Sequence, residues 1–208
     1  MKKEGIIETV DNKKQKQEAY REQLGKYRKA FNHEFYFEAL LIVYAMLEDR
    51  LRSFLYYIGA FHNVDDPRLN VKQTKTVLRR LYFGSDENAE GKILNLNQIS
   101  GKEKLIRATV LWVKECKEMP EELYLSVLKK EYEKNIDMDG LLNTLSSIDD
   151  WREYRNEIIH GLLNKNKDSV NKDIKDQVEA GMKCARFIDN QVKALKKKNN
   201  IRILMKIK

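Results

Sequence analysis

The stretch "EFYFEALLIVYAMLEDRLRSFLYYIG", from Glu34 to Gly59, determines what kind of fold this chain can adopt. Its apolar residues surround most of the helix circumference instead of forming one stripe, which is typical of a helix that is buried on nearly all sides. Gly59 supplies a helix stop, and Pro67 cannot continue a helix. We therefore predict that this stretch is the central core helix.

The composition of the whole chain also favours helices. The 208 residues include only nine Gly and two Pro, and apolar residues recur at spacings of three and four. This pattern predicts an all-α fold, a helical bundle with extra peripheral helices. The length suits one domain, residues 1–208, with an N-terminal helical extension (1–30), an exposed loop (84–101) and a basic C-terminal tail (199–208). That tail could be a short strand, a swapped tail or a continuation of the last helix.

The same periodicity predicts the remaining helices. They cover residues 13–31, 71–84, 102–118, 121–135, 137–148 and 169–198. Pro120 is expected at the start of the fourth of these, where proline is tolerated, and a capping box at residues 147–150 is expected to begin a separate helix near Ile148. Three of these helices have a clear apolar stripe that we expect to be buried. In the first helix it contains Tyr20, Leu24, Tyr27 and Phe31. In the third it contains Leu105, Ala108, Leu111, Trp112 and Cys116, and in the last it contains Val178, Met182, Ala185, Ile188, Val192 and Leu195.

Charge and cysteine usage narrow the classes of function. The formal net charge of +8 favours polyanionic partners, although solvated lysine-rich termini would explain it as well. No run approaches about 18 uncharged apolar residues, and the start lacks the apolar stretch of a signal peptide, so we expect a soluble cytoplasmic protein without membrane contact. Cys116 and Cys184 lack CxxC spacing and predict neither zinc nor a disulfide. We expect no metal and no cofactor.

One of the three histidines has unusual neighbours. We expect His33 and His62 to be surface or capping residues. His160 lies instead in "WREYRNEIIHGLL", residues 151–163. At about 100° per residue, Asn156 and His160 share one side of the helix, whereas Arg155 lies about 140° from His160. The buried stripe of this segment is expected to contain Trp151, Tyr154, Ile158 and Leu162.

The position of Arg155 beside the apolar stripe requires a counter-charge. Burying an unpaired guanidinium is costly, so we expect either a polyanion or one of three carboxylates of the core helix, Glu38, Glu48 and Asp49. Imidazole moves protons near neutral pH, and a guanidinium suits a phosphate whose charge grows in a transition state. The segment thus contains the groups needed for metal-independent phosphodiester cleavage. A structural ion pair beside an exposed histidine is the simpler alternative.

The sequence "RNEIIHG" resembles the signature of HEPN domains, in which arginine, a polar residue, three further residues and histidine occur late in an all-helical domain. Arg155, Asn156 and His160 match it in order and spacing. The core helix also carries the acidic and basic pair of that family, here Glu48 and Arg52. The resemblance spans roughly residues 31–195 and implies a HEPN-like helical bundle.

The family resemblance implies a function as well. HEPN ribonucleases of toxin–antitoxin, phage-defence and CRISPR-associated systems cleave RNA without a metal. The RNA 2′-hydroxyl attacks the adjacent phosphate and leaves a 2′,3′-cyclic phosphate. The resemblance implies proton transfer by His160, phosphate binding by Arg155 and positioning by Asn156, with Glu48, Arg52 and Glu38 in support. It also implies a homodimer with a composite site and an antitoxin or other regulatory partner.

The chain departs from some toxin relatives in one position. Leu162 stands where those relatives have a tyrosine two residues after the histidine, which argues against regulation by modification of that tyrosine. Other HEPN proteins have lost catalysis. The alternative function is therefore a non-catalytic HEPN-like module that dimerises or binds a nucleotide or a partner protein.

Overall fold

The structure, a computed structural model, describes residues 13–61, 69, 72–84, 94–161, 167–198 and 200–207. Within these ranges the regular structure is helical, and the extended backbone is limited to one isolated bridge between Phe61 and Leu69. The predicted all-α class is confirmed. The helices are α1 (Lys13–Asn32), α2 (Tyr36–Tyr57), α3 (Lys72–Phe83), α4 (Ile99–Glu115), α5 (Leu123–Asn135), α6 (Met138–Gly161), α7 (Lys167–Lys198) and α8 (Asn200–Leu204).

Helix α2 forms the centre of the core, as its sequence predicts. It packs most extensively against α7, and α1 packs on it as well. The predicted stripe of α7 is confirmed, since all six of its residues are buried. In α1, Tyr27 is buried, and Tyr20, Leu24 and Phe31 are half-buried against the same core. A set of α2 residues has no exposed surface at all: Ala39, Leu40, Val43, Leu47, Leu51, Phe54 and Leu55.

Gly181 of α7 allows helices α2, α6 and α7 to meet closely. A Cβ atom at this position would lie 2.7 Å from Cε2 of Trp151 in α6 and 2.8 Å from Cγ1 of Val43 in α2. Trp151 is buried and donates a hydrogen bond of 2.7 Å from its Nε1 to the carbonyl oxygen of Gln177. The beginning of the "WREYRNEIIHGLL" segment is therefore fixed against both core helices.

The predicted helix break near Ile148 is wrong, because α6 continues without interruption from Met138 to Gly161. Ser147 does not cap a helix end, and its hydroxyl donates to the Asn143 carbonyl one turn earlier. A continuous buried stripe made of Leu141, Leu145, Ile148 and Trp151 carries the helix through the polar positions. Asp137 caps the observed start instead, since its Oδ1 accepts a hydrogen bond from the Gly140 N–H.

Three predictions around α4 and the start of α5 also need correction. Residues 85–93 of the predicted loop lie outside the described residues, but its end is packed, because Leu96 and Ile99 are buried and α4 begins at Ile99. A Cβ at Gly101 would lie 1.7 Å from the Asn95 carbonyl oxygen, so this close contact requires glycine. The core face of α4 is rotated from the expected one: Leu111 is exposed, whereas Leu105, Ile106, Thr109, Val110 and Val113 are buried. Pro120 lies three residues before α5 rather than at its first position.

The end of the chain is docked rather than forming a free basic tail. Ile201 and Met205 are buried, and Arg202 is 2% exposed. The Arg202 guanidinium donates to the carbonyl oxygens of Tyr56 (3.1 Å) and Phe61 (2.9 Å) and stacks on the Tyr56 ring. The tail therefore continues as α8 after α7. No helix among the described residues is both long and apolar enough to cross a membrane.

Candidate functional site

The three motif residues lie in the last turns of α6. His160 is exposed, and Arg155 and Asn156 are half-buried. Because residues 155–160 are helical, Asn156 and His160 share one side, and Arg155 lies about 140° away from His160. Trp151 and Ile158 are buried as predicted, and Tyr154 is half-buried. Leu162 lies outside the described residues.

Arg155 is held by an aromatic ring. Its guanidinium carbon lies 4.0 Å from the centroid of the Tyr44 ring in α2. The Nε atom of Arg155 is enclosed and has no hydrogen-bond partner. The Tyr44 ring in turn stacks on Trp151, with centroids 6.4 Å apart and an interplanar angle of 22°. The side chain is thus fixed in place by an aromatic contact, which does not neutralise its charge.

The expected partners of Arg155 are a polyanion or one of the carboxylates Glu38, Glu48 and Asp49, and the structure pairs two of these carboxylates with other cations. Glu48 Oε1 accepts instead from Arg52 and from Lys102 of α4, each at 3.1 Å. Asp49 pairs with its neighbour Arg50. Glu38 is exposed on the first turn of α2. Glu48 and Asp49 pair with cations of α2 and α4 that lie within their reach, which a helical wheel of α6 alone cannot reveal.

Lys102 lies next to Glu48, and no pattern in the sequence indicated this contact. Its ammonium group is fully buried, bonded to Glu48 and to the Asn97 carbonyl oxygen at 2.9 Å. Burial lowers the pKa of Lys102, and the Glu48 carboxylate partly offsets that effect. The expected Glu48–Arg52 pair is present in α2. It therefore belongs to a polar contact between α2 and α4.

A separate open groove of about 490 Å³ lies between α4 and α6. Arg107 spans it by donating to Glu103 at 2.6 Å and to the Ser146 hydroxyl at 3.2 Å. Burial raises the pKa of Glu103, against the effect of the Arg107 hydrogen bond. The groove is lined by Ser100, Glu103, Lys104, Arg107, Ser146, Asp149 and Asp150. Two of its charged groups, Glu103 and Arg107, form an ion pair with each other.

The remaining histidines and cysteines do not extend the site. His33 is exposed and stacks on Phe35, in keeping with a surface position, whereas His62 lies outside the described residues. Cys184 is buried, Cys116 is half-buried, and both thiols are free. Within the described part of the chain, no three His, Cys, Asp or Glu side chains form a group that could hold a metal ion.

The end of α6 combines three groups with complementary chemistry. A positively charged guanidinium can bind an anion, an exposed imidazole can transfer protons, and the amide of Asn156 beside it can donate and accept hydrogen bonds. Tyr44 completes this set, but the sequence did not indicate it, because no local pattern there pairs α2 with α6.

Comparisons of the chain with protein-family models, curated proteins and solved structures found no match.

Proposed function

We propose that the protein is a metal-independent endoribonuclease of the HEPN type that acts in the cytoplasm as a toxin or phage-defence effector. The observation that carries this proposal is the state of Arg155. Its guanidinium rests on the Tyr44 ring, and its enclosed Nε has no hydrogen-bond partner among the described residues. The accessible His160 follows on the same helix. A fixed cation and an accessible imidazole on the same helix end suit a phosphodiester substrate.

The proposed reaction needs only groups of the protein and of the RNA. The 2′-hydroxyl oxygen forms a bond to the adjacent phosphorus as His160 accepts the hydroxyl proton. The bond from phosphorus to the 5′-oxygen breaks, and that oxygen takes the proton that His160 accepted, leaving a 2′,3′-cyclic phosphate and a 5′-hydroxyl. Arg155 stabilises the charge on the phosphate oxygens, and Asn156 positions the substrate or the imidazole.

The helix geometry favours a second copy of the chain for this reaction. Arg155 and His160 diverge by about 140° around α6, so one copy directs them to different sides. A homodimer in which two α6 ends face each other would place Arg155 of one copy near His160 of the other. We therefore include a homodimer with a composite site in the proposal.

RNA and a regulatory partner are the proposed interaction partners. The net charge of +8 supports binding to RNA, because lysine and arginine contacts to phosphates dominate such affinity. A ribonuclease that acts as a toxin also requires control, which we assign to an antitoxin or another regulatory protein.

Cleavage in the presence of EDTA tests the proposal. We expect purified wild-type protein to cut labelled single-stranded RNA and to leave cyclic-phosphate ends. His160→Ala and Arg155→Ala should each lower the rate by about 100-fold or more. His33→Ala and Arg80→Ala are matched controls, since both residues are exposed and lie outside α6. Equal cutting by all five proteins would indicate a contaminating nuclease and refute the proposal.

A non-catalytic HEPN-like module is the second candidate function. It is favoured by the divergence of Arg155 and His160, because a chain that stays monomeric presents no assembled site. Such a module would bind a nucleotide or a partner protein through the Arg155 charge alone. RNA binding that is lost in Arg155→Ala, unchanged in His160→Ala and unaccompanied by cutting would support it.

A further inference from the structure

We infer that Tyr44 is a positioning residue that holds the Arg155 guanidinium in place, still charged, for a phosphate group of the substrate. The inference rests on the proposed function and names an additional residue of the same site. It is carried by the 4.0 Å contact between the Arg155 guanidinium and the Tyr44 ring. The ring attracts the cation through its face and does not occupy the N–H groups with an acceptor.

Arg50 provides an internal comparison within the same fold. Its guanidinium also lies over a tyrosine ring, that of Tyr20, at 4.3 Å. Unlike Arg155, it donates to two carboxylates, those of Asp49 and Asp189. This arrangement is expected for an arginine that stabilises the fold, because the counter-charges offset the cost of burial. Among the described residues, the ring contact of Arg155 is not accompanied by an ion pair with a carboxylate.

The ring of Tyr44 is itself firmly supported. It stacks on Trp151, whose indole N–H is bonded to the Gln177 carbonyl in α7. Gly181 allows Trp151 to approach α7 this closely. The position of the guanidinium is therefore set by a chain of contacts that begins in the core. Such support matters in a ribonuclease, because a small misplacement of a phosphate-binding group lowers the rate strongly.

The test compares Tyr44→Phe with Tyr44→Leu. Phenylalanine keeps the ring, and leucine keeps only apolar volume. Tyr20→Leu is the matched control, since it removes the equivalent ring from an arginine that carboxylates already hold. The position of Arg155 is read from its Nε–Hε signal in the ¹H–¹⁵N spectrum, assigned by its loss in Arg155→Lys. RNA cleavage with kcat and KM separated, and the melting temperature, are measured on the same samples.

We expect an upfield ring-current shift of the Arg155 signal in the wild type and in Tyr44→Phe, and its loss in Tyr44→Leu. The kcat of Tyr44→Leu should fall by about 10- to 100-fold, and Tyr44→Phe should recover most of the wild-type value. Tyr20→Leu should leave the Arg155 signal and kcat unchanged. If Tyr44→Leu does not fold, Tyr44→Met takes its place.

The two proposals fail in different ways. A wild type that cuts RNA, a His160→Ala variant that does not, and a Tyr44→Leu variant with wild-type kcat would overturn the role of Tyr44 alone. Equal losses in Tyr44→Phe and Tyr44→Leu would do the same, since the ring would then not matter. A folded wild type as inactive as His160→Ala overturns the ribonuclease proposal and the role of Tyr44 with it.

Discussion

At the scale of single residues, Gly181 is a position where the fold tolerates little change. A methyl group there would lie 2.7 Å from the Trp151 ring and 2.8 Å from Val43. Both neighbours are buried and cannot move aside freely. We expect Gly181→Ala to lower the free energy of unfolding by about 1–3 kcal/mol, measured by urea denaturation.

Gly25 provides the opposite case for the same substitution. It lies inside α1, and a Cβ there would meet no atom within 4 Å. Gly25→Ala should therefore raise the free energy of unfolding by about 0.5–1 kcal/mol, because alanine loses less backbone entropy in a helix. If the two variants had equal stability, the close contact at Gly181 would be contradicted.

The two cysteines should differ in reactivity. Burial raises the pKa of the Cys184 thiol, and the thiolate is the reactive form. Cys116 is only half-buried. Labelling of the folded protein with a chromogenic disulfide reagent should show two phases with rates that differ by about 10-fold or more. Cys116→Ser should remove the fast phase, and removal of the slow phase instead would contradict this assignment.

At the scale of helices, the sequence predicts the buried face best where the apolar residues of a helix allow only one such face. The apolar circumference of α2 and the regular stripe of α7 allow only one arrangement, and both are confirmed. In α4 several faces are similarly apolar, so the choice depends on its neighbours, which the sequence does not show. The false break in α6 has the same origin, since Ser147 resembles a cap but lies within a continuous buried stripe. In both cases the tertiary packing overrides the local sequence preference.

The docking of α8 yields a prediction about stability. Arg202 is buried and donates to two carbonyl oxygens, that of Tyr56 in the last turn of α2 and that of Phe61 beyond the end of α2. Arg202→Ala would leave these buried acceptors without that donor and should lower the free energy of unfolding by about 2–4 kcal/mol. Ile203→Ala is the control, since Ile203 is exposed. Equal denaturation midpoints for both variants would show that α8 contributes little to stability.

The contact between α4 and α6 should make stability depend on pH. Burial raises the pKa of Glu103, so the folded state binds its proton more tightly than the unfolded state. The contribution of Glu103 to stability is present at low pH and is lost as the pH rises through its folded pKa. Glu103→Gln cannot lose a proton. Its free energy of unfolding should therefore rise relative to that of the wild type as the pH increases above the ordinary pKa of a glutamate, and parallel curves would contradict the shift.

At the scale of the whole molecule, the sequence predicts the residues of the candidate site better than the contacts between the helices that carry them. The placement of Arg155, Asn156 and His160 on one helix end follows from local spacing and is observed. The stacking of Arg155 on Tyr44 depends on how α2 and α6 are packed, and no local pattern contains that information. The second copy in the proposed site depends on contacts between two chains, which no local pattern contains either. Only a measurement on the assembled protein can test it.

Mixing two inactive variants tests the composite site directly. Arg155→Ala retains His160, and His160→Ala retains Arg155, so a mixed dimer contains one of each on different chains. Random re-association of equal amounts gives about half mixed dimers. If each carries one working pair out of two, RNA cleavage should recover to about a quarter of the wild-type rate. Each variant alone should stay inactive, and the double variant Arg155→Ala/His160→Ala mixed with wild type is the control that creates no new pair. A mixture as inactive as its components, from a protein that is dimeric by size measurement, would show that Arg155 and His160 do not cooperate across copies.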